Sequence, residues 1–248
     1  MDLNSLWLPA GLVALNLYAL LLVVARGPVF GTRIYRPMIL NIGLSLAPAA
    51  MMAVGAAAML MIVLWSGSTS APAWIPSTLV WLTLIVFGSA WFLLLPNAAY
   101  LITELNMSHR AKNEKVPLWY DIVLVMTLAL SGIFNTLANI ALAQIFIAIL
   151  FDEPGYHAAR DPRPWIAIIF TVLAISFGIY IGRYLRLNSW DMLHPGSLFR
   201  KFAQHFRAAG NLKAALGFVL IHSILLVILY AIVLLPSVSR LLVPTTGG

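Results

Sequence analysis

The sequence predicts an all-α, polytopic membrane protein with six transmembrane helices and one interfacial amphipathic helix. Three observations carry that reading. Apolar residues make up 62% of the 248 and charged residues only 9%, where a soluble domain carries about 25% charged residues. Apolar runs of about 20 residues, each able to cross a hydrocarbon core of roughly 30 Å, recur along the chain. Lipid offers the backbone no hydrogen bonds, so each run must satisfy its own as a helix. A single transmembrane domain over residues 1–248 accommodates them all.

Helix 1 is expected over about residues 6–25, stopped by Arg26-Gly27-Pro28, with Asn16 in its middle bonding across to a neighbouring helix. The basic residues follow this run instead of preceding it, so it reads as a retained helix and not a signal peptide. Helix 2, about 38–65, contains Pro48, which removes a backbone bond and predicts a kink. Its small residues (Gly43, Ala47, Gly55, Ala58) favour close backbone approach. Helix 3, about 77–95, does not end cleanly. Past Pro96 the pattern continues to 105, with Asn97, Tyr100 and Glu104 on one helical face, and either a kink or a break at Pro96 keeps the three on one stripe.

Helix 4, about 118–150, starts after Pro117, a residue suited to a first turn. It is long for one crossing, so tilt, a break near Ser131-Gly132 or protrusion is expected. Asp121, Gly132, Asn135 and Asn139 fall within about 40° of one another at 100° per residue, a polar stripe running inward from the helix start. Helix 5, about 165–184, carries Gly178 and Gly182, a small-xxx-small pair. Over about 197–209 the pattern turns amphipathic. Leu198, Phe199, Phe202, Phe206 and Ala209 share one face; Arg200, Lys201, Gln204 and Arg207 share the other, as in a helix lying in the membrane interface. Helix 6, about 212–235, is ended by Pro236, and His222 inside it reads as a hydrogen-bonded packing residue.

The net charge of +7 belongs to this topology. Of the 15 basic residues, all but Arg160, Arg163 and Arg240 fall on one side of a six-span chain. Positive loops face the cytoplasm, which places both termini of this multi-pass chain outside it. The lipid bilayer, its anionic lipids included, is then the expected partner, and nucleic acid is not needed to explain the charge. The absence of cysteine excludes disulfides, thiol catalysis and thiolate metal sites. No P-loop, GxSxG or HExxH is present, no internal repeat marks an inverted-repeat transporter, and no cofactor is assigned.

Three polar stretches stand out of the apolar background: LPNAAYLITEL (95–105), PLWYD (117–121) and GRYLRLNSWD (182–191). They end helix 3, begin helix 4 and end helix 5, so all lie on the same side and are expected to meet. Arg183 and Arg186 are forks suited to phosphate or carboxylate, with Asn188 and Trp190 beside them. Asn97, Tyr100, Trp119 and Tyr120 are expected to line the same ligand site. Glu104, Asp121 and Asp191 are the candidate catalytic carboxylates. The same groups also fit simpler roles: arginines as snorkelling anchors, Asp121 as a helix-start carboxylate favoured by the dipole, or Glu104 or Asp121 with an arginine as a structural lock. With Asn97 and Asn188 the carboxylates offer oxygen to magnesium, but the spacing is no known metal signature and no metal is assigned.

These three motifs, in this order and spacing, resemble the bacterial integral membrane family catalogued as domain of unknown function thirteen sixty-one. The resemblance runs from helix 3 to helix 6 and implies a small polytopic inner-membrane protein; it transfers no catalytic residues. Function is therefore read from the residues alone. The leading expectation is a cytoplasmic-side polar site for an anionic lipid head group or phosphorylated metabolite, with enzymatic chemistry left open. The alternatives are a small-molecule transporter lined by the helix 4 stripe, and a structural or assembly protein whose polar motifs are packing locks.

Overall fold

A computed structural model describes residues 7–34, 36–102, 115–150, 161–185 and 195–242. The described residues form eight helices and no strand: α1 (Trp7–Phe30), α2 (Arg36–Ser68), α3 (Trp74–Tyr100), α4 (Leu118–Leu150), α5 (Arg163–Tyr184), α6 (Pro195–Arg207), α7 (Asn211–Val233) and α8 (Leu235–Leu242). Six of them, α1 to α5 and α7, are long and apolar enough to span a bilayer. The protein is a multi-pass membrane protein. Its chain divides into two compact units, Met1–Thr136 and Leu137–Gly248, and α4 contributes to both.

In the first unit, α2 and α3 form a hairpin, packed along their length and joined by a short connection. Gly55 makes the close approach, since a β-carbon there would sit 2.8 Å from Cβ of Phe87. Trp65 and Trp74 flank the connection and are exposed, as interfacial tryptophans are. The core of this unit gathers Ala19, Leu22 and Val23 of α1, Met38 and Ile42 of α2, Leu101 beyond α3, and Tyr120, Leu124 and Leu128 of α4. Thus the end of α3 and the start of α4, two of the three polar stretches, do meet.

Two helix ends differ from the sequence expectation, each for a physical reason. First, α1 does not stop at Arg26-Gly27-Pro28 but runs through them to Phe30. Gly31, at φ 67°, takes the left-handed position that glycine tolerates, and Thr32 N–H donates back to the Gly27 carbonyl at 3.2 Å. That is a Schellman closure, and it moves Arg26 from a loop to the interior of the last turns. Second, Pro236 does not end the last span. The span closes at Val233, and Pro236 lies in the first turn of a further short helix, α8, where its missing N–H costs nothing. Of the two readings expected at Pro96, continuation holds, because α3 runs as one helix through it to Tyr100. Likewise α4 is unbroken at Ser131-Gly132. Gly132 serves packing instead: a β-carbon there would lie 3.0 Å from Cβ of Leu101 and 3.3 Å from the Ile102 nitrogen.

The second unit is built on α5 packed against α7. Ile168, Thr171, Val172, Ile175, Ser176, Ile179 and Tyr180 form the buried face of α5, with the i, i+3, i+4 recurrence of a helix stripe. Ser223 of α7 donates to Ser176 at 3.1 Å, and the Tyr230 hydroxyl of α7 donates to Gln144 of α4. Gly182 has open space where a β-carbon would stand, so the close packing of α5 does not run through it. His222 Nδ1 donates to the Phe218 carbonyl at 2.9 Å, and its ring stacks on that of Phe218 at 3.8 Å, a packing role.

Candidate functional site

Among the described residues, polar side chains collect at two places, one in each unit. In the first unit, Asn16 of α1 and Asn135 of α4 bond reciprocally: Asn16 Nδ2 donates to Asn135 Oδ1 at 2.9 Å, and Asn135 Nδ2 returns to Asn16 Oδ1 at 3.0 Å. Ser131 Oγ donates to Asn16 Oδ1 at 2.7 Å. The second proton of Asn16 goes to the Leu12 carbonyl at 2.9 Å, and that of Asn135 to Ser45 Oγ of α2 at 2.8 Å. Ser45 donates onward to the Ala98 carbonyl at 2.7 Å, in the last turn of α3, where carbonyls lack helical partners. One chain of hydrogen bonds therefore ties four helices. Asn16, Ser45, Ser131 and Asn135 are all buried.

Towards the start of α4 a buried ion pair belongs to the same unit. Arg26 Nε donates to Asp121 Oδ1 at 3.0 Å, with side-chain exposures of 6% and 0%. Next to it the Tyr120 hydroxyl donates to the Leu22 carbonyl at 2.7 Å, and its ring meets Phe30 edge-on at 4.8 Å. Two of the sequence-derived candidates, Tyr120 and Asp121, are thus held against α1. The partner, Arg26, was missed because Pro28 made its segment look like a loop. The readable signal was Gly31-Thr32, a helix-closing glycine just beyond.

The other candidates stand as follows. Asn97 is half-buried in the last turn of α3, while Tyr100 and Trp119 are exposed. Arg183 is exposed at the last turn of α5. Glu104, Arg186, Asn188, Trp190 and Asp191 lie outside the described residues.

The second place is where α5 ends and α7 begins. Tyr180 is buried there, and its hydroxyl lies 2.8 Å from His205 Nε2 of α6 and donates to the Asn211 carbonyl at 3.2 Å. With that proton committed, the hydroxyl accepts from the imidazole. Asn211 Nδ2 donates to the His205 carbonyl at 2.9 Å. Stacked and edge-on contacts of Tyr180 with Tyr184, Phe206 and Phe218 fill the space around it. Gly210, at φ 87°, makes the tight turn between α6 and α7 that only glycine enters without strain. The helices that this clamp joins carry Arg183 in the last turn of α5, Arg200, Lys201 and Arg207 in α6, and Lys213 in the first turn of α7. Tyr180 and His205 were not candidates from the sequence, because a tyrosine in an apolar run and a histidine on an amphipathic face carry no pattern of their own.

Two carboxylates are described near helix starts. Asp121 is the one paired with Arg26; Asp161 accepts from the Arg163 backbone N–H and guanidinium at the start of α5. The Arg163 hydrogen bonds hold the Asp161 carboxyl below its ordinary value. Among the described residues no group of three His, Asp or Glu is placed to hold a metal ion.

Comparison with known proteins returns no match among curated proteins and none among solved structures. A protein family does match, over residues 51–229, from the middle of α2 to the last turns of α7. That span covers most of the chain and contains all three polar stretches. The chain belongs to the family described as Protein of unknown function (DUF1361).

Proposed function

We propose that this membrane protein holds a phosphate-bearing anion, a lipid head group or a phosphorylated metabolite, at the face where α5 ends. The observation that supports it is the charge of that face. Arg183, Arg200, Lys201, Arg207 and Lys213 belong to the ends of α5 and α7 and to α6, and residues 195–213 contain no Asp or Glu. Guanidinium forks take phosphate oxygens in pairs, and the cytoplasmic leaflet presents anionic head groups. Arg183 and Arg186 are assigned the anion, with Asn188 and Trp190 beside it and Asp191 or Glu104 as base if a reaction follows. On this reading the face is cytoplasmic, as the distribution of basic residues suggests, and the membrane a bacterial inner membrane, as the family resemblance implies.

Asp121 is assigned differently. A carboxylate with no exposure, bonded to a buried arginine, is already spent on holding α1 to α4. The Asn16–Asn135 chain likewise uses its donors within the unit, which favours a lock over a transport path along α4. The test is retention of ligand. Native mass spectrometry of the purified protein should find an anionic phospholipid or phosphate ester bound, and Arg183→Gln should lose it. An equal amount on both proteins would end the proposal.

A further inference from the structure

We infer that α6 is a docking surface for an anionic phospholipid leaflet. This rests on the reading of the α5 end as the anion-binding face, and it names the partner that face meets. Position comes first. The Tyr180 hydroxyl reaches both His205 of α6 and the Asn211 carbonyl at the start of α7, so α6 is fastened where two apolar spans end. The ends of two spans lie at the boundary of the hydrocarbon core, and the helix fastened to them lies at that boundary too.

The faces of α6 then divide by what they touch. Phe206 and His205 turn to Tyr180. Phe199, nearly in line with Phe206 two turns earlier and about a third of a turn from His205, is 75% exposed. Next to it on the far side lie Arg200 and Arg207, both exposed. An apolar ring flanked by cations, at the depth of the head groups, is the arrangement by which an interfacial helix dips into acyl chains and pairs with lipid phosphates. A protein partner would have to reach Phe199 past the lipid that already surrounds the ends of α5 and α7. Each Lys or Arg near an anionic surface strengthens attachment roughly fivefold.

The chain has no cysteine, so one introduced thiol reports one place. Full-length protein with Ala203→Cys, labelled with an environment-sensitive fluorophore, is placed in nanodiscs of phosphatidylcholine, or of the same lipid with 30% phosphatidylglycerol (roughly the anionic share that raises a surface potential). The label should be shielded from an aqueous quencher severalfold better in the anionic discs. Arg200→Gln, Lys201→Gln and Arg207→Gln together should abolish the difference while leaving the unfolding midpoint in place, and Phe199→Ser should reduce shielding in both lipids. Equal shielding in the two lipids overturns the inference. So does restoration of shielding in phosphatidylcholine discs by free glycerol phosphate, which would mark a soluble anion as the ligand. Arg183→Gln separates the two claims. If it leaves bound lipid unchanged in mass spectrometry but the label still responds to phosphatidylglycerol, the Arg183 site fails and the α6 surface stands.

Discussion

Inside the first unit the amides and one ion pair are bonded to one another, whereas at the end of α5 in the second unit the cations are exposed. Around Asn16 and Asn135 each amide and hydroxyl finds a partner inside the protein, and four helices share one chain of bonds. At the end of α5 the polar atoms of Tyr180, His205 and Asn211 also find one another, but the charges around them do not point into the fold. Arg183, Arg200, Arg207 and Lys213 are exposed. The difference follows from cost. A polar group within a span pays for desolvation unless it is bonded, so the inward set is spent on structure. A cation at the boundary keeps water and head groups within reach, so the outward set stays available for a ligand. Burial and saturation, more than polarity, separate a lock from a site here.

The largest effect should come from breaking the lock at its charged end. Asp121→Asn leaves Arg26 buried without its carboxylate, and removing one partner of a buried pair costs about 3–5 kcal/mol. Thermal unfolding in detergent should show a large drop in midpoint. Replacing both residues together, Arg26→Met with Asp121→Leu, should recover most of the loss, since an apolar pair of similar volume is often no worse than the ion pair. A single variant as stable as the parent would mean that Asp121 is free for chemistry, and the division between the two regions would fail.

Asn135→Leu should come next. It leaves Ser45 and Asn16 short of one partner each, at about 1–3 kcal/mol for an unsatisfied buried group, softened because lipid-exposed reference states also find partners. Anionic-lipid retention by Arg183 should not change. Loss of lipid with no loss of stability would instead make α4 part of a ligand path, which is the transporter reading. Gly132→Val tests the same region sterically. Its side chain meets Leu101 and the Ile102 backbone, and overpacking of that kind costs about 1–3 kcal/mol.

How much of this could be read from the chain depends on the range of the signal. The six spans and the amphipathic helix follow from composition and period over twenty residues or so, and they are what the structure shows. Asn16 was expected to bond across helices, since a lone amide in a span has few other choices, and it does. The inward stripe of α4 was legible because Asp121, Asn135 and Asn139 recur at one angle, and all three are buried. What was not legible depends on contacts between distant residues. Arg26 and Asp121 are 95 positions apart, and nothing local to either announces the other. Tyr180 and His205 belong to different helices and pair through a turn set by Gly210. Pro236 was read as a stop, although the rule that placed Pro117 in a first turn applied there as well, and α8 was missed.

The smallest effect separates a buried ion pair from an exposed one. Asp161 and Arg163 sit two residues apart at the start of α5, bonded through both carboxylate oxygens, with the Arg163 side chain 42% and the Asp161 side chain 10% exposed. Local pairs in solvent contribute little, with a median of about 0–1 kcal/mol for exposed pairs in general, because water competes and the side chains lose freedom. The Arg163 hydrogen bonds lower the Asp161 carboxyl below its ordinary value. A lowered carboxyl stabilises the fold above its unfolded value and loses that contribution as pH falls through the folded one. Any contribution of Asp161 should therefore be full at neutral pH and vanish only on strong acidification. Asp161→Asn should leave the neutral-pH unfolding midpoint nearly where it was, and the two proteins should converge as the pH is lowered. Asp121→Asn should show its large deficit already at neutral pH. If the exposed pair mattered as much as the buried one, the α5 start would be a second lock, and the contrast between inward and outward polarity would no longer describe the molecule.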